Sequence, residues 1–185
     1  PIPRPGVPPD GVAHIGMESS DTNQDQPMNA PVPDRIVLGE GDAAREIAIL
    51  TRQGGEPGLF WLGGFASDMA GTKAESLDTF AAGNGLAFTR FDYSGHGISS
   101  GRFEDGTITR WLEEAKAVFD RTTGPQIVIG SSMGGWLALL LAQAHRADVG
   151  AEQSRIAGIV LLAPAVDMTR ALMWAEMTES ERKEL

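Results

Sequence analysis

The chain contains no cysteine, which excludes disulfide cross-links, cysteine-ligated metals and thiol chemistry. Basic residues are in short supply, with 15 Lys and Arg against 25 Asp and Glu and a formal net charge of −10. A nucleic-acid partner needs clustered cations to neutralise phosphates, so none is expected. No apolar run is long enough to cross a bilayer, and no charged n-region precedes an apolar stretch as in a secretory signal. No membrane partner is expected, and the composition reads as that of a cytoplasmic protein. Proline is sparse except at the start, where residues 1–34 hold 8 of the 11. That segment, rich also in Gly, Asp, Asn and Gln and without hydrophobic periodicity, reads as a disordered or non-native tail. Met17 and Met28 both precede the structured part, and either fits a natural start.

From Arg35 onward, strand and helix signals alternate. Arg35-Ile36-Val37-Leu38 and Glu46-Ile47-Ala48-Ile49-Leu50 flank the turn-forming cluster Gly39-Glu40-Gly41-Asp42, which predicts an antiparallel hairpin. Gly58-Leu59-Phe60-Trp61-Leu62 is a continuous apolar run, as in a strand covered on both faces. Thr72 and Glu75 fit a capping box opening a helix whose apolar face carries Leu77, Phe80 and Ala81, stopped by Gly83-Asn84-Gly85. A strand is predicted at 86–91. The spacing of Ile108, Trp111, Leu112, Ala115, Val118 and Phe119 then predicts an amphipathic helix with Glu113, Glu114 and Lys116 outward. Two more buried strands are read at 126–129 and 156–162, with an apolar helix at 136–144 between them. The alternation implies an α/β fold: a mostly parallel sheet with helices on both faces and an N-terminal antiparallel hairpin.

The chemistry concentrates in Gly130-Ser131-Ser132-Met133-Gly134, a G-x-S-x-G run between a strand and a helix. That context suits a nucleophile elbow with Ser132 at its tip. Gly130 and Gly134 leave room for strand and helix backbones to approach closely, and the helix N-terminus favours developing negative charge. Ser131 is the rival, but framing it would require glycine where Ile129 stands. No Lys-Ser/Thr pair comes after the glycines, which excludes a phosphate-binding P-loop. A second oxyanion donor belongs on the loop after the third strand, Leu62-Gly63-Gly64-Phe65-Ala66-Ser67-Asp68. There the Phe65 N–H is expected to converge with that of Met133 on a substrate oxygen.

Gly39-x-Gly41-x-x-Ala44 matches a dinucleotide fingerprint in letters only, because a β-rich run comes next instead of a helix. No cofactor and no metal is expected. The three histidines are poorly placed to serve Ser132. His14 lies in the tail, His96 in the loop upstream of the elbow, and His145 at the far end of the elbow helix. His96 therefore reads as a polar loop residue near the pocket. Asp167 lies in the right direction for a catalytic acid, but reads more simply as a helix cap.

Beyond Pro164 the pattern changes. Met168, Leu172, Met173, Trp174 and Met177 suit either a cap lining an acyl pocket or an ordinary apolar helix face. Thr178 and Glu181 fit a second capping box, and the chain stops about two turns later. A truncated domain is the expectation, with residues 35–185 the N-terminal part of a larger fold and 167–185 the start of a cap region.

Three segments together resemble the α/β-hydrolase superfamily: 64–74, from Gly64 to Ala74; 90–97, Arg90-Phe91-Asp92-Tyr93-Ser94-Gly95-His96-Gly97; and 124–137, through the elbow to Leu137. They are similar to the branch of serine esterases that includes the mitochondrial acyl-protein thioesterase and acyl-glucuronide esterase, with its bacterial relatives. The resemblance implies a Ser-His-Asp mechanism on carboxylic ester or thioester substrates. Ser132 matches the nucleophile, and Phe65 and Met133 match the oxyanion positions. Where many members have His-Gly before the oxyanion residue, this chain has Gly63-Gly64, and the family's acid and histidine have no matching positions. The expectation is a serine hydrolase of small-molecule or acylated substrates, with this stretch inactive alone. The alternatives are a non-catalytic small-molecule binder of the same fold and a fragment without activity. Oligomeric state is not legible.

Overall fold

The computed structural model describes residues 32–167, together with 178 and 179. Strand β1 (Asp34–Leu38) and strand β2 (Arg45–Arg52) form the predicted hairpin, pairing antiparallel with Ile36 opposite Ile47. Hence Gly39 to Ala44 is a turn between strands. Strand β3 (Gly55–Leu62), helix α1 (Thr72–Gly83), strand β4 (Leu86–Phe91), helix α2 (Ile108–Phe119), strand β5 (Gln126–Ser131), helix α3 (Met133–Val149) and strand β6 (Ile156–Leu162) come next in alternation. The six strands lie in the order β1-β2-β4-β3-β5-β6. β4, β3, β5 and β6 are mutually parallel, and β2 joins them antiparallel through β4. The fold is that of an α/β-hydrolase.

The direction in which the chain steps across the sheet decides where each helix lies. From β3 to β4 it moves one way, and from β4 to β5 to β6 it moves back, so right-handed crossovers put α1 on one face and α2 and α3 on the other. The side chains of β3 alternate accordingly. Phe60 and Leu62 pack with Trp111, Val118, Leu137 and Leu141 on the α2/α3 face. Leu59 and Trp61 pack with Ala74, Ala81 and Phe88 on the α1 face.

Three local expectations are corrected. Thr72 does not cap α1: the Asp68 carboxylate accepts the Ala70 N–H at 2.9 Å and its carbonyl accepts the Gly71 N–H, so the helix starts from Gly71 with no side-chain cap. Phe80 stays 54% exposed, because the buried stripe of α1 runs through Ala74, Leu77 and Ala81. Glu114 is fully buried instead of facing outward. It lies one turn from Trp111 and one from Val118, on the core side of α2. Among the described residues β6 is the last strand of the sheet, and Ile159, Val160, Leu161 and Leu162 along it remain exposed. The Met- and Trp-rich segment 168–177 and the helix expected after Thr178 lie outside the described residues apart from Thr178 and Glu179, as does the tail through residue 31.

Candidate active site

β3 and β5 are neighbours in the sheet, with Leu62 opposite Gly130, so the loops leaving their C-terminal ends emerge side by side. This is the point where the strand order reverses, the position at which open α/β sheets form their ligand crevices. β5 ends at Ser131 and α3 begins at Met133, leaving Ser132 alone in the turn at φ 53° and ψ −119°. Such a backbone costs a non-glycine residue about 1–3 kcal/mol and persists only when its surroundings hold it. Here they do. The Ser132 N–H donates to the Leu162 carbonyl at 3.0 Å, and the Ser132 carbonyl accepts from Gly135 at 2.9 Å and from Ala165 at 3.0 Å. A β-carbon on Gly130 would collide with the Gly134 carbonyl, and one on Gly134 with the Leu62 and Gly63 carbonyls. Only glycine lets strand, helix and the loop after β3 meet this closely. Ser132 itself is exposed, while Met133 behind it is buried.

The loop after β3 folds into a β-turn closed by the Ser67 N–H to the Gly64 carbonyl at 3.2 Å. A β-carbon placed on Gly64 would lie 3.4 Å from the Ser132 Cβ, so this turn abuts the elbow. Among the described residues the N–H groups of Phe65 and Met133 donate to no protein acceptor. The Phe65 ring is partly exposed and packs on Phe103 at 4.8 Å.

Behind this turn lies the loop after β4. Asp92 accepts the Met69 N–H at 2.6 Å and the Ile98 N–H at 2.9 Å, tying the two loops together. Burial pushes the Asp92 carboxyl above its ordinary value, and the Ile98 and Met69 bonds pull against that. Below it Glu114 accepts Ser94 N–H at 2.9 Å, Ser94 Oγ–H at 2.6 Å and Arg45 Nε–H at 2.5 Å. Burial disfavours the Arg45 charge, and its bonds to Glu114 and Glu113 outweigh that, raising it above its usual value. Glu114 and Asp92 were missed as site supports. For Glu114 a signal existed, since its spacing placed it on the apolar stripe of α2.

In both described histidines Nε2 is taken by a backbone N–H. His96 is buried, with Nε2 accepting the Ala66 N–H at 3.2 Å. His145 packs edge-on to Phe119, and its Nε2 accepts the Arg155 N–H at 3.2 Å. His14 lies outside the described residues. Asp167 is exposed, and its φ of 55° differs from the extended backbone of an N-cap. A cleft of about 230 Å³ opens between the two loops, lined by Ala66, Ser67, Asp68, Gly95, His96, Gly97 and Phe103. A larger cavity of about 630 Å³ opens at the opposite strand ends, among Thr51, Ala87, Thr123 and Gln126, and holds none of the candidate residues. Among the described residues no cluster of His, Asp and Glu has the arrangement of a metal site. No described helix is long and apolar enough to cross a membrane.

Comparison with known proteins agrees with this geometry. The family model of serine aminopeptidase S33 hydrolases matches residues 63–183. Palmitoyl-protein thioesterase ABHD10, mitochondrial, of Bos taurus is 38% identical over 116 residues, which are 62% of this chain and 36% of that protein. The chain thus spans about a third of the length of the curated relatives it matches. Among solved structures, a protein of Agrobacterium vitis S4 named as a hydrolase superimposes with a TM-score of 0.73 at 46% identity, covering 83% of this chain and 60% of that one. Alpha/beta hydrolase domain-containing protein 10 from mouse gives 0.67 at 31% identity, covering 82% and 57%. The family match runs from the glycines after β3 past the end of β6, well over half of the chain, and the chain belongs to the serine aminopeptidase S33 family of α/β-hydrolases.

Proposed function

We propose that the protein is a serine-dependent hydrolase of acyl esters or thioesters, with Ser132 as nucleophile and the N–H groups of Phe65 and Met133 as oxyanion donors. The observation that carries this reading is Ser132 held at φ 53° on a strand-to-helix turn, beside two N–H groups without protein acceptors. Ser132 Oγ would attack the acyl carbonyl carbon as its proton passes to a base, and the two N–H groups would bind the oxygen that becomes negative. The tetrahedral intermediate collapses by breaking the bond to the leaving oxygen or sulfur, which departs protonated. Water then cleaves the acyl-serine by the same route in reverse, releasing the carboxylic acid and restoring the serine.

In this reading the described residues would supply the nucleophile and the oxyanion donors, while Nε2 of each described histidine accepts a backbone N–H. We place the base and its acid partner outside these residues. We place acylated small molecules or acylated proteins as substrates, by analogy with relatives named as palmitoyl-protein thioesterases. On its own the 185-residue chain is expected to hydrolyse a nitrophenyl ester only at the background rate. The competing reading is a non-catalytic binder built on this fold. Those relatives are also named as mitochondrial, against the cytoplasmic expectation from composition, and cell fractionation decides between the two.

The test is labelling with a fluorophosphonate, with imidazole supplied as external base and Ser132→Ala in parallel. Labelling at Ser132 that imidazole accelerates and Ser132→Ala abolishes is the expected result. Modification elsewhere, or none at any imidazole concentration, would sink the nucleophile assignment and leave the binder.

A further inference from the structure

Ala66 is the third residue of the turn that carries Phe65, and it sits at φ 53°. Third positions of type II turns require this left-handed backbone and favour glycine there. An alanine has an easy escape: the peptide between Phe65 and Ala66 flips, giving a type I turn without strain. One hydrogen bond opposes that flip. The Ala66 N–H, which belongs to this peptide, donates to His96 Nε2 at 3.2 Å.

His96 is prepared for this task by its other nitrogen. Nδ1 lies 3.2 Å from the Ser94 carbonyl oxygen, which only accepts, so Nδ1 carries the proton and Nε2 keeps a lone pair. The Ser94 carbonyl is itself fixed by Trp111 Nε1–H at 3.2 Å, and the Ser94 N–H and hydroxyl by Glu114. The imidazole is buried among Tyr93, Phe103 and Trp111, with ring centroids at 5.6, 5.1 and 5.2 Å. Phe103 packs on the Phe65 ring as well, so the same aromatic cluster touches both sides of the peptide in question.

We propose that His96 is a positioning residue for the oxyanion site: its neutral, Nδ1-protonated ring pins the Phe65–Ala66 peptide and so fixes the whole turn, whose preceding peptide, Gly64–Phe65, carries the Phe65 N–H offered to the acyl oxygen. The catalytic part of this statement rests on the function proposed above; the structural part does not. His96 never meets the substrate and takes no proton from Ser132.

The structural part is read by NMR on the 15N-labelled chain without any ligand. A scalar coupling across the hydrogen bond, from the Ala66 amide nitrogen to His96 Nε2, is expected, with Nδ1 as the protonated ring nitrogen. A strong contact from Phe65 Hα to the Ala66 N–H, the signature of the type II turn, is expected in the wild type. It should persist in His96→Gln, whose side-chain oxygen reaches the same place, and fade in His96→Ala. An absent coupling, a proton on Nε2, or a turn unchanged in His96→Ala overturns the proposal; should His96→Ala fail to fold, the wild-type coupling and His96→Gln still decide.

The catalytic part is read in a polypeptide whose turnover depends on Ser132. There His96→Ala lowers kcat by about 10- to 100-fold, less than the 10²–10³ typical of removing an oxyanion donor outright, with KM within twofold and kcat partly restored by Gln. A kcat equal to wild type in His96→Ala overturns the proposal. If the coupling is present but no acyl substrate turns over through Ser132, the proposed function fails and the brace stands.

Discussion

The Ser94 hydroxyl lies 2.6 Å from Glu114 Oε1, the same carboxylate oxygen that accepts Arg45 Nε–H at 2.5 Å. Through this shared oxygen the loop that holds His96 rests on a buried ion pair linking β2 to α2. Burying two charges costs several kcal/mol each, and the pair is tolerated because every oxygen of Glu114 meets a donor.

Glu114→Ala should therefore be among the costliest substitutions in the chain. It leaves the Arg45 guanidinium buried with only the exposed Glu113 as partner, and a loss of about 3–5 kcal/mol is expected. Glu114→Gln keeps an acceptor for Ser94 and should cost less. Urea unfolding of both variants checks the order, and equal losses would mean that the charge plays no part.

At the elbow, Gly134→Ala drives a methyl group into the Leu62 and Gly63 carbonyls, which are backbone atoms and give way only if β3 shifts. The expected loss is about 1–3 kcal/mol, as for overpacked sites. Reactivity at Ser132 should fall with it, because Gly63 leads into the turn proposed to carry an oxyanion donor. A variant as stable and as readily labelled as wild type would contradict this packing.

Tyr93 is buried, and its hydroxyl has no hydrogen-bond partner among the described residues. Burial pushes its phenol well above the ordinary value. Removing an unsatisfied buried hydroxyl while keeping the ring should be neutral or stabilising by up to about 1 kcal/mol. Thermal unfolding of Tyr93→Phe tests this, and a clearly lower midpoint would reveal a partner for the hydroxyl.

Asp78 joins α1 to the sheet. It accepts Arg52 Nε–H at 2.6 Å and Nη2–H at 3.0 Å, with Arg90 nearby at 3.5 Å. The Arg52 bond holds its carboxyl below the ordinary 3.8, against the effect of burial. Stability from a depressed acid is present above the unfolded value and is lost as pH falls through the folded one. Asp78→Asn should thus be less stable than wild type near neutrality, with the gap closing below pH 3.8. Denaturant titrations of both proteins from neutral pH downward measure it, and a pH-independent gap would refute the linkage.

Much of this architecture is legible in local sequence because its causes are local. The apolar stripe of α2 from Trp111 to Phe119 and the glycines bracketing Ser132 are patterns a few residues long, set by helix periodicity and by steric room. The supports of the site are contacts between distant segments. Arg45 and Glu114 are 69 residues apart, and Ala66 and His96 are 30 apart. Composition and spacing carry no trace of such pairings. For that reason His96 reads in the sequence as a polar loop residue, although its ring nitrogen faces the backbone of the turn after β3. The misplaced Phe80 has a smaller cause: two neighbouring residues of α1 compete for one stripe, and Ala81 occupies it.

The Ser132 N–H is anchored to Leu162, the last residue of β6, which among the described residues has a sheet neighbour on one side only. Fraying at that border would remove the hydrogen bond that keeps the serine in its strained turn. The backbone conformation of Ser132 is therefore coupled to the local opening free energy of a peripheral strand. Whatever packs along β6 would tune the serine from a distance, and amide exchange at Ser132 would report its arrival.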